Sequence, residues 1–147
     1  MKPVLQALVV AEHVYTDVTG KKIIAGTFNG IEFKRNANPV KEQELPDGTK
    51  VNVLQGGEFG GSPYAYISIT DVVDGTELSL QFVNLTRNKI IFGTDFKLEC
   101  PDRLATIEIV APLPFLPIGE AGAYALELVW KGEVLGSHRI IAKETSS

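Results

Sequence analysis

Residues 120–130 read Glu120-Ala121-Gly122-Ala123-Tyr124-Ala125-Leu126-Glu127-Leu128-Val129-Trp130, and this stretch determines how the rest of the chain can fold. Large apolar side chains recur at every second position, at Tyr124, Leu126, Leu128 and Trp130. That spacing predicts a β-strand with one buried face. Lys131-Gly132 follows and suits a tight turn, because glycine readily adopts positive φ. The run from Glu133 to Ala142 completes a predicted β-hairpin, in which Tyr124 and Trp130 are structural residues.

The same stretch carries a family resemblance. Four alternate residues, Glu120, Gly122, Tyr124 and Leu126, resemble the start of the penultimate strand in the immunoglobulin-like β-sandwich superfamily. The resemblance implies a tyrosine corner, in which the Tyr124 hydroxyl hydrogen-bonds back to the chain upstream. Leu126 stands where antibody-type domains have cysteine, so their inter-sheet disulfide is excluded. A fold of this kind does not specify a function.

A second resemblance lies in residues 12–28. The segments Glu12-His13-Val14-Tyr15, Thr19-Gly20-Lys21-Lys22 and Gly26-Thr27-Phe28 look like the beginning of a family of short uncharacterised bacterial domains. That resemblance implies a bacterial origin and brings no known activity with it.

Composition limits the classes of function. The chain has 147 residues, 44% hydrophobic and 22% charged, as expected for a single β-sandwich domain over residues 1–147. The net charge of −4 and the lack of a basic cluster argue against nucleic-acid binding. No apolar run is long enough to span a membrane, so we expect no membrane association. The single cysteine, Cys100, cannot form an internal disulfide, which predicts a cytoplasmic protein.

The first third of the chain predicts three strands. Residues 4–15 are apolar on both faces, so we expect a strand that switches between two sheets, with a bulge near Glu12-His13. Residues 22–28 predict a second strand. Asn29-Gly30 is a strong hairpin signal and is expected to join that strand to Ile31-Glu32-Phe33.

Apolar and polar residues alternate in the middle of the chain. They predict four further strands, over residues 64–70, 77–83, 89–92 and 104–110. In the second of these, Leu78, Leu80 and Phe82 are expected to face inward. Three prolines between Pro112 and Pro117 prevent strand pairing and predict a crossover. Together these patterns predict an all-β fold, an immunoglobulin-like two-sheet antiparallel β-sandwich with about eight or nine strands.

Glu12, His13 and Asp17 form the only close group of titratable residues that includes a histidine. As a site, His13 would bind a metal or act as a general base, with Glu12 or Asp17 orienting it. Neighbouring residues on a strand point to opposite faces, so we favour a packed or hydrogen-bonded imidazole. His138 is the only other histidine, and no zinc-ligand spacing occurs. We therefore predict no metal and no cofactor.

Two irregular segments carry apolar side chains suited to binding. Phe59 lies between glycine pairs in residues 56–61, which lack the lysine and the following helix of a phosphate-binding loop. We interpret this segment as a surface loop. Phe115 and Leu116 lie in the proline-rich crossover. That crossover either plugs one end of the sandwich, which we favour, or exposes an interface patch.

The sequence contains no nucleophile motif, acid-base pair or cofactor fingerprint, so we predict that the protein is not an enzyme. The favoured hypothesis is a protein-interaction or assembly module that binds an unknown protein partner or itself, through Phe59, Phe115 and Leu116. One alternative is a small-ligand or metal-binding protein with its site at Glu12, His13 and Asp17. Another is a structural subunit of a phage-like or secretion assembly, whose edge strands would pair between copies.

Overall fold

The structure is a computed structural model that describes residues 2–33, 40–44, 46, 48, 50–54 and 63–145. These residues form eleven β-strands and no helix, and so none of them belongs to a helix able to cross a membrane. The strands are β1 (Val4–Thr16), β2 (Lys22–Thr27), β3 (Gly30–Phe33), β4 (Val40–Glu44), β5 (Lys50–Leu54), β6 (Tyr64–Thr70), β7 (Thr76–Asn84), β8 (Lys89–Leu98), β9 (Ile107–Pro112), β10 (Gly122–Trp130) and β11 (Glu133–Glu144).

Nine of the strands form two sheets that pack face to face. One sheet has four strands in the order β2-β1-β6-β9, and the other has five in the order β3-β11-β10-β7-β8. The strands β4 and β5 form a separate two-stranded sheet. Among the described strands every pairing is antiparallel except that of β3 with β11, which is parallel. The predicted all-β, two-sheet sandwich is confirmed.

The inner faces of the two sheets form the core. Leu78, Leu80 and Phe82 face inward as predicted and are almost completely buried. The Phe82 ring stacks on the rings of Phe92 and Tyr124, at centroid distances of 5.4 and 5.6 Å. The four-stranded sheet contributes a matching set of fully buried side chains, Val10, Ala65, Ile67 and Ile69.

The predicted hairpin of β10 and β11 is confirmed. Trp130 pairs with Glu133 across a two-residue turn. Lys131 and Gly132 in that turn have φ values of 46° and 78°, as a type I′ turn requires. Trp130 is partly buried and packs against the core.

The tyrosine corner is also present. The Tyr124 hydroxyl donates a hydrogen bond to the Glu120 carbonyl oxygen at 2.8 Å. Burial raises the pKa of Tyr124, so the hydroxyl keeps the proton that it donates. Gly122 has a φ of 148°, and a Cβ at this position would lie 2.7 Å from Oγ1 of Thr86. Both the backbone conformation and the close contact therefore favour glycine before the corner.

Two predictions for the first third of the chain are wrong. β1 remains in the four-stranded sheet, and its bulge lies between Leu5 and Ala7 rather than near Glu12-His13. Asn29-Gly30 does not form a hairpin, because β3 crosses to the other sheet and pairs with β11. The crossing buries Ile31 and Phe33 against the core. Burial of two large side chains outweighs the local preference of Asn29-Gly30 for a turn.

Candidate functional site

The structure does not bring Glu12, His13 and Asp17 into one site. The Glu12 side chain lies against Gly26, where a Cβ would be 3.0 Å from its carboxylate oxygen. His13 is exposed on the opposite face of β1 and does not meet His138, which lies on the inner side. Within the described part of the chain, no group of three or more His, Cys, Asp or Glu residues could hold a metal ion.

The Asp17 carboxylate closes the turn between β1 and β2. Its Oδ1 accepts hydrogen bonds from the Thr19 hydroxyl at 2.7 Å, the Thr19 N–H at 2.8 Å and the Lys21 N–H at 2.9 Å. The bond from the Thr19 hydroxyl, followed by that from the Lys21 N–H, lowers the pKa of Asp17. A carboxylate engaged in this way stabilises the turn and does not orient His13.

His138 lies where β2 leaves the four-stranded sheet. The pairing of Ala11 with Thr27, if continued, would place Val10 opposite Phe28. The imidazole fills that gap: its Nδ1 accepts a hydrogen bond from the Val10 N–H at 3.4 Å, and its Nε2 donates one to the Phe28 carbonyl oxygen at 2.7 Å. Because Nδ1 is an acceptor, the proton is assigned to Nε2. His138 thus connects the two sheets, a role that the sequence did not indicate.

The proline-rich crossover fills the end of the sandwich. Leu113, Leu116 and Ile118 are buried in the core, and Phe115 is partly buried. Leu116 therefore contributes no exposed binding surface. Phe59, the other residue predicted to bind a partner, lies outside the described residues.

The outer face of the four-stranded sheet carries apolar and aromatic side chains beside polar ones. Residues opposite one another in neighbouring strands share a face, and the register places Val9 beside Tyr66 and Tyr66 beside Val110. The sequence contained the signal for this surface, since residues 4–15 are apolar on both faces. Its polar members are His13, Thr27, Ser68, Thr70 and Glu108. We call its apolar and aromatic members the tyrosine face, and they are Val4, Ala7, Val9, Ala11, Tyr15, Ile23, Ala25, Tyr64, Tyr66 and Val110.

Much of the tyrosine face is accessible to solvent. Tyr15 is 52% exposed and Val4 is 47% exposed. Ala11 is completely buried, and the remaining members are partly exposed. An outer sheet face normally carries polar side chains, because only the inner face packs against the core. The composition of this face therefore favours contact with another apolar surface.

One hydrogen bond fixes an aromatic ring on the tyrosine face. The Tyr66 hydroxyl donates to the Glu108 carboxylate on the adjacent strand β9. This hydrogen bond raises the pKa of Tyr66. A tyrosine with its hydroxyl already paired presents the apolar part of its ring for contact.

The outer face of the five-stranded sheet differs in character. The Gln81 amide donates a hydrogen bond to Glu127 at 3.0 Å, and the Ser79 hydroxyl donates to Asp95. Two open grooves of about 820 Å³ each lie along the margins of this sheet, and both are lined by charged and apolar side chains. This face therefore mixes polar side chains with exposed apolar ones, since Ile90, Val134 and Ile141 also lie on it.

No protein-family model matches the chain, and no curated protein matches it. Of the surfaces described above, the tyrosine face is distinguished by its aromatic rings, since it carries three of the four tyrosines of the chain.

Proposed function

We propose that this chain is an immunoglobulin-like domain that acts as a protein-interaction module and binds its partner through the tyrosine face. The apolar and aromatic character of that face carries the proposal. Val9, Tyr66 and Val110 form a continuous row across three strands. Contiguous exposed apolar patches mark interaction sites, and tyrosine is enriched at protein interfaces.

The shape of the surface favours a protein over a small ligand. Small molecules bind in concave pockets that enclose most of their surface. A four-stranded sheet presents a broad face, and its side chains would contact a partner over several strands. Tyr15 and Tyr64 add aromatic rings with few rotatable bonds, which lose little conformational entropy on binding.

Other parts of the proposal have separate support. The corner hydrogen bond of Tyr124 favours membership of the immunoglobulin-like superfamily. The buried free thiol of Cys100 favours a reducing compartment such as the cytoplasm. A bacterial origin is supported only by the resemblance of residues 12–28. We assign the protein no catalytic step, metal or cofactor.

Photo-crosslinking in cells of the source organism tests the binding surface. A benzophenone-bearing phenylalanine is placed at Tyr15 on the tyrosine face, and in a matched control at Ile141, which is 40% exposed on the outer face of the other sheet. We expect a specific protein adduct from position 15 alone. Adding Val110→Glu should remove it, because the charge would be buried in the interface.

Two outcomes would contradict the proposal. The first is a set of adducts that is the same at both positions, since the tyrosine face would then bind nothing selectively. The second is an adduct at position 15 that persists in the Val110→Glu variant. Circular dichroism of each purified variant establishes that the sandwich remains folded.

A further inference from the structure

The strand β8 forms a long exposed edge of the five-stranded sheet. It has ten residues, and no described strand lies beyond it. The other edge strands of the two sheets are shorter, with six residues in β2 and β9 and four in β3. Residues 93–95 and Lys97 of β8 are exposed. A strand edge with unpaired backbone groups is a template for pairing with another chain.

The backbone groups of β8 alternate between β7 and the open edge. The Leu98 carbonyl oxygen accepts a hydrogen bond from the Gly75 N–H at 2.9 Å, so Leu98 faces β7. In an antiparallel ladder, alternate residues direct both backbone groups to the same side. Gly93, Asp95 and Lys97 therefore direct their N–H and C=O groups to the open edge.

The side chains of Asp95 and Lys97 carry opposite charges on the same face. Both lie on the outer face of the sheet, and Phe96 between them faces inward, opposite Leu78. The Asp95 carboxylate accepts a hydrogen bond from Ser79. Lys97 forms no ion pair with any residue of the described ranges. The exposed edge thus presents a negative and a positive side chain, one on each side of an aromatic residue.

We propose that two copies of the chain pair through β8, antiparallel about a two-fold axis at Phe96. In this register Lys97 of each copy lies opposite Asp95 of the other. Both residues direct their backbone groups to the edge, so each such pair is also hydrogen-bonded through the backbone. Phe96 meets Phe96 of the second copy at the non-hydrogen-bonded position, where opposing side chains lie closest.

Charge selects this register over its neighbours. A shift of two residues in one direction places Asp95 opposite Asp95, and a shift in the other direction places Lys97 opposite Lys97. Like charges directly opposite one another destabilise a strand pair. A shift of one residue would oppose inward and outward side chains. The register centred on Phe96 is the one that joins opposite charges at both positions.

The symmetry of this pairing limits the assembly to two copies. A two-fold contact uses the same patch on both subunits. Once the dimer has formed, neither subunit has a free β8 edge to bind a third copy. One strand pair buries less surface than a standard stable interface, and its ion pairs are exposed to solvent. The dimer should therefore form at high protein concentration and weaken as salt is added. It does not depend on the tyrosine face.

Charge exchange in analytical ultracentrifugation tests the dimer. The wild type should dimerise, and Lys97→Asp or Asp95→Lys alone should weaken dimerisation about ten-fold or more, because each creates two like-charge pairs. An equimolar mixture of the two variants should recover a dimer, since each acidic residue of one variant then faces a lysine of the other. If a variant failed to dimerise because it was misfolded, mixing it with the other variant would not restore the dimer.

The control variant is Lys89→Asp, which reverses a charge on the same strand outside the paired segment. It should dimerise like the wild type. The proposal is overturned if the wild type is monomeric at every concentration, or if neither charge substitution weakens its dimer. It is also overturned if the mixture of the two variants associates no better than each variant alone.

Discussion

The two sides of the sandwich are completed in different ways. On the closed side, β1 packs beside β11, the chain crosses between the sheets before β3, and His138 bridges Val10 and Phe28. On the open side, β8 and β9 end their sheets, and no described strand pairs with their outer edges. The chain crosses between the sheets on both sides, before β3 and between β8 and β9, and each side has two edge strands. The closed side adds the His138 bridge, and the open side has the longest edge strand, β8.

This difference separates stability from association. Residues that close the sandwich should affect unfolding more than self-association, and residues of the open edge should do the reverse. The following predictions, from the largest expected effect to the smallest, test that separation.

Matched phenylalanine truncations compare the two sides directly. Phe33 on the closed side is 4% exposed, whereas Phe92 on the open side is only partly buried. Phe33→Ala should reduce the free energy of unfolding by about 4 kcal/mol and Phe92→Ala by about 2 kcal/mol, because the cost follows the burial that is lost. Urea denaturation measures both. Equal losses would show that the two sides contribute equally to stability.

The two histidines provide a second matched pair. His138→Ala should cost about 2 kcal/mol, because it removes the side chain that accepts a hydrogen bond from the buried Val10 N–H and donates one to the Phe28 carbonyl oxygen. His13→Ala removes an exposed side chain and should change the free energy of unfolding by less than about 0.5 kcal/mol. If both variants unfold at the wild-type urea concentration, the imidazole bridge does not stabilise the closed side.

The tyrosine corner lies between the two sides and should have an intermediate effect. Tyr124→Phe removes one partly buried hydrogen bond to the Glu120 carbonyl oxygen and should cost about 1–2 kcal/mol. Tyr66→Phe removes a hydroxyl whose partner Glu108 is exposed. It should cost less than about 0.5 kcal/mol. A larger loss for Tyr66→Phe than for Tyr124→Phe in thermal unfolding would contradict this ranking.

The smallest effect concerns Asp17 in the turn between β1 and β2. Hydrogen bonds lower its pKa below the ordinary value of 3.8, so the folded protein binds this proton less tightly than the unfolded chain. The stabilisation is therefore present above pH 3.8 and is lost as the pH falls below it. The stability difference between wild type and Asp17→Asn should shrink on acidification, as measured by denaturation at several pH values. A difference that is constant with pH would exclude the carboxylate as its source.

Local patterns in the sequence predicted the parts of the fold whose partners are close in sequence. The hairpin after Trp130 and the inward residues of β7 follow from alternation and a turn signal, and both are confirmed. The tyrosine corner is also local, since Tyr124 bonds to a carbonyl four residues earlier. In these cases the sequence neighbours themselves supply the interaction.

The errors arose where distant contacts decide the structure. Asn29-Gly30 has a strong local turn preference, but the partner of β3 is the last strand. The apolar residues on both faces of β1 were explained by a change of sheet, whereas their outer set forms the tyrosine face. In the proline-rich crossover, neither alternation nor turn signals show the direction of a side chain, so the sequence left open both the buried position of Leu116 and an exposed one. His138 had no signal in the sequence, because its partners lie on other segments.

The parallel pairing of β3 with β11 also sets an order of events during synthesis. Thr145 bonds to the carbonyl of Phe33 across 112 residues of chain. At cellular translation rates, β3 leaves the ribosome on the order of ten seconds before β11 does. During that interval Ile31 and Phe33 cannot reach their final partners. A nascent chain of this protein therefore exposes apolar residues of β3 until β11 is made, and exposed apolar residues of this kind favour aggregation.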